Sequence, residues 1–153
     1  MNTWIFQGNP KIFDIDKYFL KKQKQKNDNI LWSVRQKHFI NKILLGDEVY
    51  IWRSDGGKTG SGGIIAKGEI LSLPKKMLDD APELWISKPK DMMALRVSIK
   101  IKDIRLNASQ GMLSRERLKY DPEINKIRIL HYYSQTNYLL TIEQSKYLSM
   151  LWN

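Results

Sequence analysis

The chain reads as an α+β protein, and three features of its sequence carry that reading. Leu95, Val97, Ile99 and Ile101 alternate with Arg96, Ser98, Lys100 and Lys102, the period of two that marks a half-buried strand. Thr141 opens a terminal segment with Gln144 three residues on, as in a helix capping box, and apolar Ile142, Tyr147, Leu148 and Leu151 follow at helical spacing. Between these, strands and helices succeed one another without the regular βαβ alternation of a doubly wound sheet.

Trp4 to Phe6 reads as a short strand ended by the turn signal Gly8-Asn9-Pro10. From Ile12 to about Lys22, Ile12, Ile15, Phe19 and Leu20 mark one helical face. Asp14 and Asp16 stand in its first turn and lysines at its end, an order that complements the helix dipole. Ile30 to Val34 is a strand, and Lys37 to Leu45 shows helical spacing at Phe39, Ile40, Ile43 and Leu44. Glu48 to Trp52 and Ile64 to Leu73 are strands joined by the glycine-rich hairpin loop 55–63. Pro74 to Pro89 looks irregular apart from a short ordered piece at Leu84-Trp85-Ile86. Met93 to Ile104 is the long strand, and Met112 to Tyr120 a short helix stopped before Pro122. No break in composition divides the 153 residues, which read as one domain.

Composition excludes several classes. With no cysteine, disulfides and thiolate metal sites are out, and the two histidines, His38 and His131, lack carboxylates at ligand spacing, so neither metal nor cofactor is expected. No apolar run approaches the roughly 18 residues of a membrane span. The amino-terminal residues lack a signal peptide's charged and apolar regions, so the expected location is the cytoplasm. The net charge of +10 is unevenly spread: residues 1–42 hold nine Lys/Arg against three Asp, residues 43–91 seven against eight acids, and residues 92–153 ten against five. Two basic ends around a neutral middle suit a polyanion held by converging segments.

Gly57-Lys58-Thr59 imitates a phosphate-binding loop, but the glycine required five positions before Gly57 is Trp52, and the stretch joins strand to strand. The dinucleotide pattern fails as well, because Ile65 stands where its third glycine belongs. No nucleophile elbow surrounds any serine, and Asp79-Asp80 falls in what reads as a solvated loop. No catalytic residue is assigned.

Trp32 is the most informative position. An indole in Ile30-Leu31-Trp32-Ser33-Val34-Arg35-Gln36, beside polar residues in a basic chain, suits a pocket that stacks a planar ring and reads its edge; the alternative is a core tryptophan. Gln7, Asn9 and Ser33 are the candidates for edge contacts, since amides and hydroxyls both donate and accept. Lys21, Lys22 and Lys24, extended by Arg35 and Lys37, are the candidate phosphate contacts.

Taken in order, Trp4-Ile5-Phe6-Gln7-Gly8-Asn9-Pro10, Trp32-Ser33-Val34-Arg35-Gln36, Gly46-Asp47-Glu48-Val49, Gly63-Ile64-Ile65-Ala66 and Gln135-Thr136-Asn137 resemble the EVE domain, a member of the PUA-like group that includes the YTH and ASCH domains. Ser33 and Gln36 depart from it, since many EVE domains carry Gly and Asn there. The resemblance implies a PUA-like curved mixed sheet, a pseudo-barrel flanked by helices, and a reader that holds a modified base of nucleic acid, cytosine or adenine in DNA, in an aromatic cage without catalysis. Trp32 would be one wall, where the YTH domain has its own strand-end tryptophan, with Trp85 the second wall and Trp52 a further candidate. EVE domains also occur beside methylation-dependent restriction modules, which makes a nuclease an expected partner. The other reading is a PUA- or ASCH-like RNA-associated domain, either a binder alone or a hydrolase acting on a modified nucleoside. A lysine, a carboxylate and a threonine converging in the pocket would favour that chemistry.

Overall fold

The computed structural model describes every residue from Met1 to Asn153, built on one eight-stranded mixed sheet. Its strands are β1 (Thr3–Gly8), β2 (Asn29–Ser33), β3 (Glu48–Arg53), β4 (Gly63–Ile70), β5 (Lys75–Leu78), β6 (Met93–Ile104), β7 (Leu113–Ser114) and β8 (Asn137–Leu139). The order is β2-β6-β4-β3-β1-β8, with β5 added to β6 and β7 to β4. Only β1 and β3 run parallel. Three helices flank the sheet: α1 (Ile15–Lys24), α2 (Arg115–Tyr120) and α3 (Ile142–Trp152).

The continuous apolar runs of β1 and β3 follow from burial on both faces. Trp4, Phe6, Val49 and Ile51 enter one core with Ile15, Tyr18 and Phe19 of α1. Their strand neighbours Ile5, Tyr50 and Trp52 enter a second with Leu118 of α2 and Leu148 and Trp152 of α3. Removing side chains like these from water contributes about 1.5–3 kcal/mol apiece, which makes two packed faces the main source of stability.

The curl brings the edge strands β2 and β8 together, and side chains complete what no backbone ladder joins. Asn137, fully buried on β8, accepts the Arg35 N–H at 2.8 Å through Oδ1 and donates from Nδ2 to the Ser33 carbonyl at 3.0 Å. Gln36 answers with Oε1, which accepts the N–H groups of Thr136 and Asn137 at 3.1 and 2.9 Å. Gln36 and Asn137 thus staple the end of β2 to β8.

Several elements differ from the sequence expectation. The segment 37–45 forms only a 3-10 turn over Lys37–Phe39, because the Asp47 carboxylate draws the Leu44 N–H to itself at 2.9 Å and also takes the Trp4 indole N–H at 2.9 Å. The stretch after Pro74, expected irregular, supplies β5, which pairs with the start of the long β6. Asp14 is the N-cap of α1, its side chain accepting from the Lys17 N–H, so Ile12 lies outside the helix and is exposed. Leu113-Ser114, expected helical, pairs with β4 before α2 begins. Thr141 and Gln144 form the capping box on α3, but Ile142 is exposed and the helix buries Leu148 and Trp152.

A candidate base-binding pocket

At the end of β1 a cavity of about 570 Å³ opens between the Asn9-Pro10 turn, α1, the end of β2 and the loops at 79–85 and 133–136. Trp32, Trp52 and Trp85 all line it, as do Gln7, Asn9, Ser33 and Arg35. Seven residues scattered from 7 to 85 in sequence therefore reach one place.

Trp32 forms an inner wall. Its ring is 7% exposed and packs in the first core, and its indole N–H donates to the Gln7 carbonyl at 3.2 Å. Gly8 permits that approach: a β-carbon there would stand 3.0 Å from the ring and 2.7 Å from the tip of Ile15. Trp85 is half-buried and held from three sides. Its ring packs on Phe13 at 4.9 Å between centroids, its N–H donates to Asp79 Oδ2 at 2.6 Å, and its backbone bridges to Phe13. The Ile86 N–H donates to the Ile12 carbonyl at 2.8 Å and the Asp14 N–H to the Leu84 carbonyl at 2.9 Å, fastening this segment to the start of α1. Trp52 is 3% exposed and packs in the second core with Ile5, Tyr50 and Ile64, so only its margin borders the cavity.

The polar candidates divide into groups with and without spare capacity. Gln7 spends both amide hydrogens on the carbonyls of Tyr133 (2.7 Å) and Gln135 (2.5 Å), which fixes the 133–136 loop at the mouth of the cavity. Asn9 turns Oδ1 to the Lys11 N–H at 3.0 Å, and the Ser33 hydroxyl has no partner within the protein. Tyr133 lines the mouth with its side chain largely in solvent.

The basic candidates also divide. Lys21 pairs with Glu83 at 2.5 Å, and its hydrogen bond lowers the Glu83 carboxyl below its ordinary value. Lys22 is buried and pairs with Asp80 at 2.7 Å, so its ammonium is not part of the exposed basic edge. Lys24, Arg35 and Lys37 are exposed and make no ion pair. Arg115, at the start of α2, lines the cavity and is likewise unpaired. No pattern in the sequence marks Arg115, since β4 brings it to the cavity through β7.

The expectation of a solvated loop fails for Asp79, while Asp80 is exposed as a residue and has its carboxylate engaged by Tyr18 and Lys22. Asp79 is 7% exposed in its side chain. It accepts from the Ala81 N–H at 2.7 Å and the Trp85 indole, and faces the Arg96 guanidinium at 3.4 Å. Asp80 accepts the Tyr18 hydroxyl at 2.9 Å, and that hydroxyl in turn accepts the Leu31 N–H at 2.9 Å. Burial first, then the charge of Asp80, pushes the Tyr18 phenol well above its ordinary value, which keeps it a donor. Phe13 and Tyr18 are not among the positions Ile12, Ile15, Phe19 and Leu20 that the helical spacing marks. Their place beside the cavity follows from the docking of the 79–86 segment on that helix.

The triad that would favour chemistry is incomplete. Asp79, Asp80 and Thr136 line the cavity, but no lysine does, and Lys22 lines a neighbouring groove with Phe19, Asp28 and Ile101 while its ammonium holds Asp80 at 2.7 Å. No group of three or more His, Asp or Glu residues could hold a metal ion. No helix is long and apolar enough to cross a membrane.

Residues 2–149 match the family model of the EVE domain. The chain belongs to the EVE domain family. The solved structures it resembles share the PUA-like fold of this EVE domain. A hypothetical protein from Leishmania major is 16% identical, with a TM-score of 0.66 over 99% of this chain and 94% of that one. The human THYN1 protein, solved in complex with 5-methylcytosine-containing DNA, is 15% identical, with a TM-score of 0.64 over 100% of this chain and 99% of its own. The Mmi1 YTH domain is 13% identical, with a TM-score of 0.53 over 99% of this chain and 75% of that one. No curated protein matches the sequence.

Proposed function

We propose that this EVE domain is a non-catalytic reader of a modified base, cytosine or adenine in DNA, which it takes out of the strand into the pocket between Trp32 and Trp85. The observation that carries this reading is the convergence of both tryptophans on one cavity. At about 570 Å³ it falls within the range of small-ligand sites. The THYN1 complex with 5-methylcytosine-containing DNA supports it from a protein of the same fold.

The physics sets what each part contributes. Extracting a base costs a few kcal/mol, least from a single strand. Stacking returns roughly 1–3 kcal/mol per base, while a buried methyl adds only about 0.8 kcal/mol. Affinity therefore comes from stacking and from phosphate contacts by Lys24, Arg35, Lys37 and Arg115, whose charges have no partner within the protein. Preference for a particular base requires hydrogen bonds to its edge, for which the free Ser33 hydroxyl and the Asn9 amide are available. A restriction-type nuclease acting on the marked strand is the partner that such a reader would serve.

The test is binding of single-stranded oligonucleotides that differ at one position, carrying 5-methylcytosine, N6-methyladenine, the unmodified bases or an abasic analogue. Strands with a base should bind tighter than the abasic strand, and one modified base tightest. Equal binding of all of them would overturn the reading. The hydrolase alternative draws on Asp80 and Thr136 in the cavity. It predicts multiple turnover of a modified nucleoside by mass spectrometry, which the reader assignment predicts will not occur.

A further inference from the structure

We propose that Asp80 reads the edge of the bound base and restricts the pocket to bases with an amino group at C4 of a pyrimidine or C6 of a purine, cytosine and adenine, excluding their keto counterparts. This rests on the base-in-pocket reading above and adds the group that selects.

The donors bonded around Asp80 and the two tryptophans are committed, and the Ser33 hydroxyl, the Asn9 amide and the Arg35 and Arg115 guanidinium groups are the free ones on the lining. The Trp32 N–H is given to the Gln7 carbonyl and the Trp85 N–H to Asp79. The Tyr18 O–H is given to Asp80, and both Gln7 amide hydrogens go to the 133–136 loop. Arg96 is buried and turned to the carbonyls of Met77 and Met92 and to Asp79. A keto oxygen set against Asp80 would face a carboxylate, which has no hydrogen to give. Leaving such an oxygen desolvated and unmatched is costly.

Acceptor capacity, in contrast, remains, and it is concentrated on Asp80. Asp79 is filled by Ala81, Trp85 and Arg96, and Asp55 closes the hairpin by accepting the Gly62 N–H at 2.7 Å. Asp80 accepts only from Tyr18 and Lys22, and its side chain is 27% exposed. An ionised carboxylate offers about four lone-pair sites and no donor, so part of its capacity is open. Asp80 lines the same cavity as both walls, and Tyr18 links it to Leu31, the neighbour of Trp32, while Asp79, its own neighbour, holds the Trp85 indole.

Cytosine and adenine present an amino donor on the edge where thymine and guanine present a carbonyl acceptor. 5-Methylcytosine and thymine share the 5-methyl group and the shape of the ring, so they separate reading of the edge from reading of the methyl. The experiment measures anisotropy of the full chain with single strands identical except for 5-methylcytosine, cytosine, thymine, uracil or an abasic analogue at one position. The expected result is roughly ten-fold or greater preference for 5-methylcytosine over thymine and for cytosine over uracil, the range of one well-matched base contact. In Asp80→Asn, whose amide can also donate, both ratios should collapse toward unity, whatever happens to overall affinity. Thymine binding as tightly as 5-methylcytosine in the native protein overturns the proposal without any variant, as does an unchanged ratio in folded Asp80→Asn. Equal binding of the abasic and base-bearing strands instead overturns the base-in-pocket reading itself.

Discussion

Trp85→Ala should weaken binding to a strand carrying the recognised base by roughly 5- to 150-fold, the equivalent of about 1–3 kcal/mol for one stacked base. The structure makes Trp85 a cleaner probe than Trp32. Trp32 belongs to the first core at 7% exposure, and truncating such a ring costs about 3–5 kcal/mol of stability, which confounds any loss of binding. Trp85 is half-buried. Its removal forfeits the edge packing on Phe13 at 4.9 Å, about 0.5–1.5 kcal/mol, and one hydrogen bond to Asp79, which keeps the Ala81 N–H and Arg96. Trp85→Phe separates the two effects, because it preserves a stacking face and loses the indole N–H. The assay pairs thermal unfolding with fluorescence anisotropy, using a base-bearing strand and its abasic counterpart. Trp85→Ala should lose most of the difference between the two strands, while Trp85→Phe retains most of it. The cage is refuted if folded Trp85→Ala binds both strands as the native protein does, or loses the same factor on each.

The exposed basic edge should show itself in salt dependence. Neutralising Arg35, Lys37 or Arg115 should reduce the slope of log affinity against log salt by roughly 0.7 each on single strands, equally for modified and unmodified sequences. Lys22→Met should leave that slope unchanged, because its ammonium is paired with Asp80. Asn137→Ala should destabilise the protein by about 1–3 kcal/mol or more in denaturant unfolding, since the Arg35 N–H and the Ser33 carbonyl lose their partner where β2 meets β8. A midpoint unchanged from the native protein would show that the staple is dispensable. The buried phenols of Tyr18, Tyr50 and Tyr138, all raised chiefly by burial, should ionise only above the ordinary tyrosine range in an alkaline absorbance titration. Their contribution to stability is full below the unfolded value of about 10 and is lost as pH climbs from there toward the folded values. Ionisation of all seven tyrosines as one group near that value, with the fold intact, would contradict their burial.

The sequence by itself determined the features that depend on neighbours along the chain. The period of two in β6, the unbroken apolar runs of β1 and β3, the glycine-rich hairpin and the Thr141–Gln144 capping box are local signals, and each formed where it stands. The ordered segments of the EVE pattern indicated the fold for the same reason: each segment keeps its own spacing. What failed was read from the same local signals where groups outside the expected element outcompete them. The Asp47 carboxylate takes the Leu44 N–H, and the helical spacing of 37–45 yields a single 3-10 turn. β6 offers an unpaired edge, and residues 75–78 become a strand that no propensity announced.

The pocket shows the same division. Trp32, Gln7 and Ser33 were legible because they stand beside strand ends that the pattern already placed. Whether Trp52 faces the cavity or a core was decided by the second layer of helices, which covers that side of β3 and buries the ring. The charges of Lys22, Asp79 and Asp80 read as solvated in sequence, because a single chain position carries no information about its ion partner. Folding α1 against the 79–86 segment joins them across about sixty residues and leaves Asp80 on the cavity that both tryptophans line. Arg115 was invisible for a simpler reason: its nearness to the cavity is a property of how β7 pairs with β4. Side-chain identity is a local quantity, but electrostatic partnership and depth are set only when the sheet curls and brings its edges together.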